Sequence, residues 1–488
     1  MTALILVAIL APTTAAACAA VGGWRAWTAT ATVLSAVTLL GCGIGLGYRC
    51  ADGRHLALGG VLHADALVAV LLIVIGIVAT LATWASIGYI DTELRHGHTD
   101  RSGARLYGTL TPAFLAAMAL AVCANDIGVI WVAIEATTVI TAFLVGHRRT
   151  RTALEATWKY VVICSVGIAI AFLGTVLLYF AAQHAVTGGR DLLHLDVLTA
   201  HAAAFDPQVV RLAGALLLIG YGAKVGLVPF HTWLADAHSQ APAPISALMS
   251  GVLLSVAFSV VIRIRPIIDA AVGPEFLRAA LLAAGLVTVL IAALLLTVTG
   301  DLKRMLAYSS MENMGLIAIA AAAGTRLAIA ALLLHILAHG VGKTVLFLSG
   351  GQLQAAHGST AIAEITAVLG RSRLVGSSFA VGIVVLLGLP PFAMFASELA
   401  IARSLADARL AWALAIALPL IVVAFAALVT NSGRILLGRP EADAVAIPVP
   451  ATVAVPLVGG VVICILLGVT IGPLAGLFET VGDMFGVR

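Results

Sequence analysis

Gly220-Tyr221-Gly222-Ala223-Lys224-Val225-Gly226-Leu227-Val228-Pro229-Phe230-His231-Thr232-Trp233-Leu234 places a lysine and then a proline inside a stretch apolar enough to lie in a bilayer. An ammonium at bilayer depth costs roughly 2.5–3.5 kcal/mol on insertion scales, so such a lysine faces a protein partner or trapped water rather than lipid. Pro229 removes one backbone donor and frees the carbonyl four residues back, which is tolerable in a bilayer only where protein or water satisfies the opened backbone. The helix is therefore expected to break beside Lys224, which marks an ion path: interrupted helices are how transporters set a polar site near the midplane.

The rest of the chain belongs to the same solvent. With 61% hydrophobic and 10% charged residues and a mean hydropathy of +1.11, it excludes a soluble domain, whose charged fraction is about a quarter. Spans of about 20 apolar residues are read at 2–21, 27–47, 66–89, 107–124, 127–146, 160–182, 209–235, 243–264, 276–298, 302–323, 327–350, 374–402, 409–437 and 452–478. The expected fold is an all-α polytopic membrane protein of about 14 transmembrane helices. The first span lacks a basic n-region and reads as retained rather than cleaved. The longest polar stretch, 184–208, is only a loop, so no soluble domain is left to hold a cofactor. The six cysteines form no Cys-x-x-Cys and read as small packing residues, without an iron–sulfur or zinc framework. Arg148, Arg149, Arg151 and Lys159 cluster between spans 5 and 6, and Arg95, Arg101 and Arg105 between spans 3 and 4, whereas the 184–208 loop carries Asp191, Asp196 and Asp206. The positive-inside rule then puts both termini outside the cell membrane, against the opposing weight of Arg263 and Arg265.

Further ionisable groups lie within the spans. Glu135 sits midway along span 5 and needs a cation, for which Lys224 is the natural candidate; a helix-fixing ion pair without turnover is the other reading. His335, His339 and Lys343 recur at i, i+4 and i+8, so they stack on one helix face over roughly 12 Å. Imidazole donates through one nitrogen while accepting through the other, which suits proton relay; chelation by the two histidines and simple packing are the alternatives. Glu312 lies two turns into span 10 beside Ser309, Ser310 and Asn313, groups able to hold water, or else pairs with Lys303 or Arg304 at the helix entrance. Glu398 follows a second break at Pro390 and Pro391 in span 12. Span 7 is the fourth helix of a five-helix block, 107–264, and span 12 the fourth of another, 276–437, as two inverted repeats would have it, flanked by 1–106 and 438–488.

The run from Gly222 to Pro242, with Pro244-Ile245-Ser246-Ala247-Leu248, Asp301 to Gly315 and the His335/His339/Lys343 series, resembles the antiporter-like membrane subunits of complex I, Mrp antiporters and membrane-bound hydrogenases. The His-Ser-Gln-Ala-Pro-Ala-Pro wording and Tyr-Ser-Ser-Met-Glu-Asn-Met-Gly are most similar to the large F-type membrane protein of hydrogenase-4 and formate hydrogenlyase type complexes. The resemblance implies discontinuous helices 7 and 12 and a proton path through Glu135, Lys224, His231, Ser255, Glu312, His335, His339, Lys343 and Glu398. Ser255 departs from the pattern, standing where many relatives have a basic residue; a serine passes protons through water but stores no charge. The resemblance also implies hydrogenase-like large and iron–sulfur small partner subunits, no cofactor or metal on this chain, and no catalysis of its own. An Mrp-type cation/proton antiporter subunit and a quinone-binding scaffold with an inert polar axis are the competing functions.

Overall fold

A computed structural model describes residues 1–51, 53, 56–58, 60–186, 191–438, 447 and 449–486. Because a bilayer offers no partner for an open backbone, most of the described residues are helical, and among them twelve helices are long and apolar enough to cross a membrane. Aspartate and threonine start several of the helices: Asp65, Asp100, Asp126 and Asp301, and Thr150 and Thr325, accept from the first free amides of the helices they precede. The fold is thus an all-α polytopic membrane protein.

Several expected boundaries move. Leu302–Ala323 is a continuous helix, but Lys303, Arg304, Glu312 and its serines keep it out of the twelve. Span 12 is two helices, Arg373–Leu386 and Ala393–Asp407. The single closing span at 452–478 is instead Ala451–Val469 followed by a separate helix Gly472–Phe485, divided at Thr470 and Ile471. The 184–208 stretch is more than a loop, since its described part holds the helix Leu195–His201; residues 187–190 fall outside the described residues. Two short antiparallel strands, Leu56–Leu58 and Leu62–Ala64, were not anticipated.

Both breaks occur where the prolines stand, and they share one backbone pattern. Pro207–Val225 ends at Gly226 (φ 86°) and resumes as Thr232–Gln240; Arg373–Leu386 ends before Gly388 (φ 59°) and resumes as Ala393–Asp407. The chain reads Gly-Leu-Val-Pro-Phe at 226–230 and Gly-Leu-Pro-Pro-Phe at 388–392. In each, the leucine amide reaches back five residues, Leu227 to Gly222 O (2.9 Å) and Leu389 to Val384 O (3.3 Å), and the phenylalanine amide closes on that leucine's carbonyl (3.0 and 3.1 Å). These bonds absorb carbonyls that the interrupted ladders would otherwise strand in the membrane interior. A further likeness joins the halves: Asp126 bridges to His194 just after the long helix Arg151–Ala185, and Asp301 bridges to Ala361 just after the long helix Arg326–His357.

Candidate functional site

Lys224 is the last-turn residue of the first half of its broken helix and is fully buried. Its Nζ donates to Tyr160 OH (2.6 Å) and Thr138 Oγ1 (2.9 Å). Tyr160 OH is also bonded to Thr141 Oγ1. Glu135 makes no ion pair with the lysine among the described residues: Ser165 Oγ donates to its Oε1 (2.8 Å), and its Oε2 has no hydrogen-bond partner. The expected direct pair is thus corrected to two groups each bound by hydroxyls of its own, Glu135 by Ser165 and Lys224 by Tyr160 and Thr138. Thr138, on the same face nearly one turn beyond Glu135, takes the lysine, while Glu135 reaches Ser165 on Arg151–Ala185.

In the second half, His335, His339 and Lys343 are all fully buried on Arg326–His357. His335 Nδ1 lies 2.9 Å from Ser397 Oγ and Nε2 2.8 Å from Asn313 Oδ1. Asn313 Nδ2 donates to Ser309 O (2.6 Å), and Lys343 Nζ donates to Leu306 O (2.6 Å) and to Ser309 Oγ. One polar thread therefore runs Ser397, His335, Asn313, Ser309, Lys343. His339, between the two ends, has no partner on either ring nitrogen. Glu312 and Glu398 line one cavity of ≈ 20 Å³ with Asn313, room for about one water. Glu312 pairs with neither cation of its own helix: Arg304 binds Asp236 (2.8 Å) and Lys303 Nζ donates to Ala241 O (2.6 Å).

Glu398 lies against the second break. A Cβ added at Gly388 would stand 2.2 Å from its Oε2, at a left-handed φ of 59°. Gly388→Ala is expected to destabilise the chain by about 1–2 kcal/mol from backbone conformation alone, and to push Glu398 out of its cavity; a fall in the thermal midpoint of the purified complex checks the first effect.

Between the two halves, sequence reasoning missed the connecting residues. Tyr160 packs on Trp233 (centroids 5.0 Å), Trp233 on His238 (6.4 Å), and His238 on Phe347, one turn beyond Lys343 (5.4 Å). His238 is fully buried with both nitrogens unpartnered. It stood in the quoted motif, and a histidine in an apolar run was the available signal. Ser250 Oγ and Ser310 Oγ lie 2.7 Å apart, Ser250 being set by a π-helical turn, Met249–Leu253, inside an otherwise α-helical span. At this turn Gly251 and Gly340 bring backbones together so closely that a Cβ on either would meet the other's carbonyl oxygen at 3.0 or 2.7 Å. Ser255 is buried nearby with an unpartnered hydroxyl, and His231, half-buried at the start of Thr232–Gln240, leaves Nδ1 unpartnered. The six cysteines are free, and among the described residues no cluster of three or more His, Cys, Asp or Glu is placed to hold a metal ion.

Fold and site together define a polytopic membrane protein with a series of lysines, histidines and carboxylates spread over Ile127–Val145, Leu302–Ala323, Arg326–His357 and the two broken helices. Residues 124–424 match the family described as NADH:quinone oxidoreductase/Mrp antiporter, transmembrane, and the chain belongs to it. It is similar to a hydrogenase-4 component F homolog of Methylacidiphilum infernorum, 39% identical over 73% of this chain and 74% of that one. It is also similar to NADH-quinone oxidoreductase subunit N of Desulforudis audaxviator, 31% identical over 60% of this chain and 58% of that one. A chain of the membrane-bound sulfane sulfur reductase, an archaeal respiratory membrane complex, shares the fold at a TM-score of 0.89, 24% identity, 99% of this chain and 97% of that one. A chain of the Mrp complex from Dietzia sp. does so at 0.85, 20% identity, 99% and 98%. The protein is an antiporter-like membrane subunit of the complex I and hydrogenase-4 kind, multi-pass, whose relatives are parts of multisubunit complexes.

Proposed function

We propose that this chain translocates protons within a membrane oxidoreductase, moving them along Glu135, Lys224, His231, Ser255, Glu312, His335, His339, Lys343 and Glu398 when partner subunits transfer electrons. One observation carries the reading: Lys224 and Lys343 are fully buried, yet among the described residues neither makes an ion pair; Lys224 is hydrogen-bonded to two hydroxyls and lies over the Tyr160 ring (4.8 Å), and Lys343 is hydrogen-bonded to a hydroxyl and a backbone carbonyl. A charged side chain in a membrane interior pairs with another charge or with backbone carbonyls; a lysine held by neutral acceptors can release its proton without leaving a bare carboxylate behind. Hydroxyls, which both donate and accept, then pass the proton on. Tyr160, Thr138 and Ser165 join the input site, and His238, Ser250 and Ser310 the connection between halves.

The matched breaks, caps and bridges support two inverted five-helix repeats, 107–264 and 276–437, in a bundle of about fourteen crossings, with 1–106 before them and 438–488 after. Leu302–Ala323 and the pair Arg373–Leu386 and Ala393–Asp407 would supply the crossings beyond the twelve. The basic residues near Arg148 support a cell-membrane orientation with both termini outside. Hydrogenase-like large and iron–sulfur small subunits are the partners we infer, with the redox centres on them and no cofactor on this chain. Purified alone, the chain is expected to carry no iron, flavin or nickel in stoichiometric amount; elemental analysis and absorption spectra check this, and a bound iron–sulfur cluster would overturn it. The reading itself is tested by reconstituting the complex in proteoliposomes and following internal pH during turnover of the partner subunits: pumping that depends on Lys224 supports it, and turnover that never moves protons refutes it.

A further inference from the structure

A cavity of ≈ 430 Å³ opens between the helices Arg326–His357, Ala393–Asp407 and Gly472–Phe485. Its lining divides by polarity. Leu327, Ala330, Leu334, Ala396 and Ala400 make an apolar trough, while the charged lining residues are Arg326, Glu479 and Asp483. Arg326 opens its helix, so the trough runs from that end as far as Leu334, about 12 Å along the axis. A mostly apolar hollow with a few convergent polar groups is the usual form of a small-molecule site.

The charged mouth is held in place. Arg326 Nη1 lies 2.8 Å from Asp483 Oδ1. A Cβ on Gly482 would meet Arg326 O at 2.8 Å, and one on Gly486 would meet Arg326 Cα at 2.7 Å, so these two glycines seat the end of Gly472–Phe485 on the backbone of Arg326. The same helix is tied down twice more: Thr480 Oγ1 donates to Ala51 O (2.9 Å), and the Phe485 ring lies 5.9 Å from the guanidinium of Arg263. Glu479 is one turn before Asp483 on the same face; it is exposed and makes no ion pair among the described residues. The mouth therefore sets one cation against two carboxylates, and the second carboxylate has no cation of its own.

We propose that this trough binds an ethanolamine phospholipid from the leaflet at the Arg326 end, with an acyl chain along the alanines, the phosphate at Arg326 and the primary ammonium at Glu479 and Asp483. Charge decides the headgroup. A phospholipid whose headgroup is only anionic could satisfy Arg326, but it would bring its phosphate against two carboxylates with nothing to offset them, and like-charge juxtaposition is costly. The zwitterion answers both signs. Its ammonium has three N–H donors for charge-assisted hydrogen bonds to carboxylates, which the quaternary ammonium of choline lacks. The bound chain lies along Leu334 and Ala396, the sequence neighbours of His335 and Ser397, whose side chains meet at 2.9 Å. The lipid thus braces the second half of a broken helix against Arg326–His357, whether or not protons move there.

The test uses the full chain in its complex, held in phosphatidylcholine nanodiscs. Each sample carries a trace of phosphatidylethanolamine, phosphatidylglycerol or phosphatidylcholine with a diazirine on one acyl chain; after illumination the labelled peptides are mapped by mass spectrometry. The proposal expects the ethanolamine lipid to label residues 327–334 and 396–400 at least ~5-fold more than either of the others, because it alone matches both signs at the mouth with N–H donors. Ala396→Trp, which fills the trough from an exposed position, is expected to remove that labelling and leave labelling elsewhere on the chain unchanged. Glu479→Lys, which leaves two cations against one carboxylate, is expected to move the preference to the glycerol lipid; if Ala396→Trp does not assemble, this reversal decides. Equal labelling of the trough by the three lipids overturns the proposal, and so does a preference that Glu479→Lys leaves unchanged. A trough that no lipid labels, as when a neighbouring subunit fills it, overturns it as well.

Discussion

In His339→Leu, proton pumping by the assembled complex is expected to fall about tenfold or more while the protein becomes no less stable, and by buried-group energetics up to about 1–3 kcal/mol more stable. His339 is buried with neither nitrogen bonded, so as a packing residue it is a poor choice: leucine would fill much of its space without an unpaired polar atom. Its value lies in the moments when a proton passes between the His335 and Lys343 ends of the thread. Thermal melts give the first quantity and proteoliposome pH traces the second. A stability loss with normal pumping would return His339 to packing. Lys343→Met is expected to lose pumping to a similar extent with assembly intact, because the groups the lysine leaves, Leu306 O and Ser309, already share a hydrogen bond of 3.0 Å.

The second large effect concerns the input site. Lys224→Met is expected to abolish pumping, and so is Glu135→Gln. Lys224→Met should assemble, since Tyr160 keeps its bond to Thr141 when the ammonium is gone. Tyr160→Phe removes the hydroxyl that joins Lys224 to Thr141; losing a hydrogen bond to a charged group costs roughly 1.5–3 kcal/mol, and pumping is expected to fall while the complex still assembles on native gels. If Lys224 and Glu135 serve the same step, as the proposed function has it, the double variant should be no worse than either single one, with strong non-additivity. Additive losses would mean two independent steps.

What could be read from the chain, and what could not, follows from the kind of signal each residue leaves. Lys224, Lys343 and the prolines stand out because a charge or a missing amide in an apolar run has few benign explanations, and both breaks lie where those residues stand. The Lys224–Glu135 pair failed because span positions tell depth and not which neighbour a side chain reaches: Thr138 and Tyr160, unremarkable in sequence, take the lysine's hydrogen bonds. Lys303 looked like an entrance charge able to pair with Glu312, yet its partner is a carbonyl of another helix, and nothing in local spacing announces a contact between residues 241 and 303. The π-helical turn at Met249–Leu253 leaves no periodic trace, whereas the division at Thr470 and Ile471 stands directly before Gly472-Pro473, a local breaker that the apolar run around it masks.

Lys224→Arg tests the mechanism most directly. Guanidinium keeps the positive charge and can still reach Tyr160 and Thr138, but it does not give up a proton at any accessible pH. Internal pH of proteoliposomes holding the Lys224→Arg complex, measured while the partner subunits turn over, is expected to show no pumping although the complex assembles; pumping at the wild-type rate would mean that Lys224 serves only as a fixed cation and that protons do not pass through it.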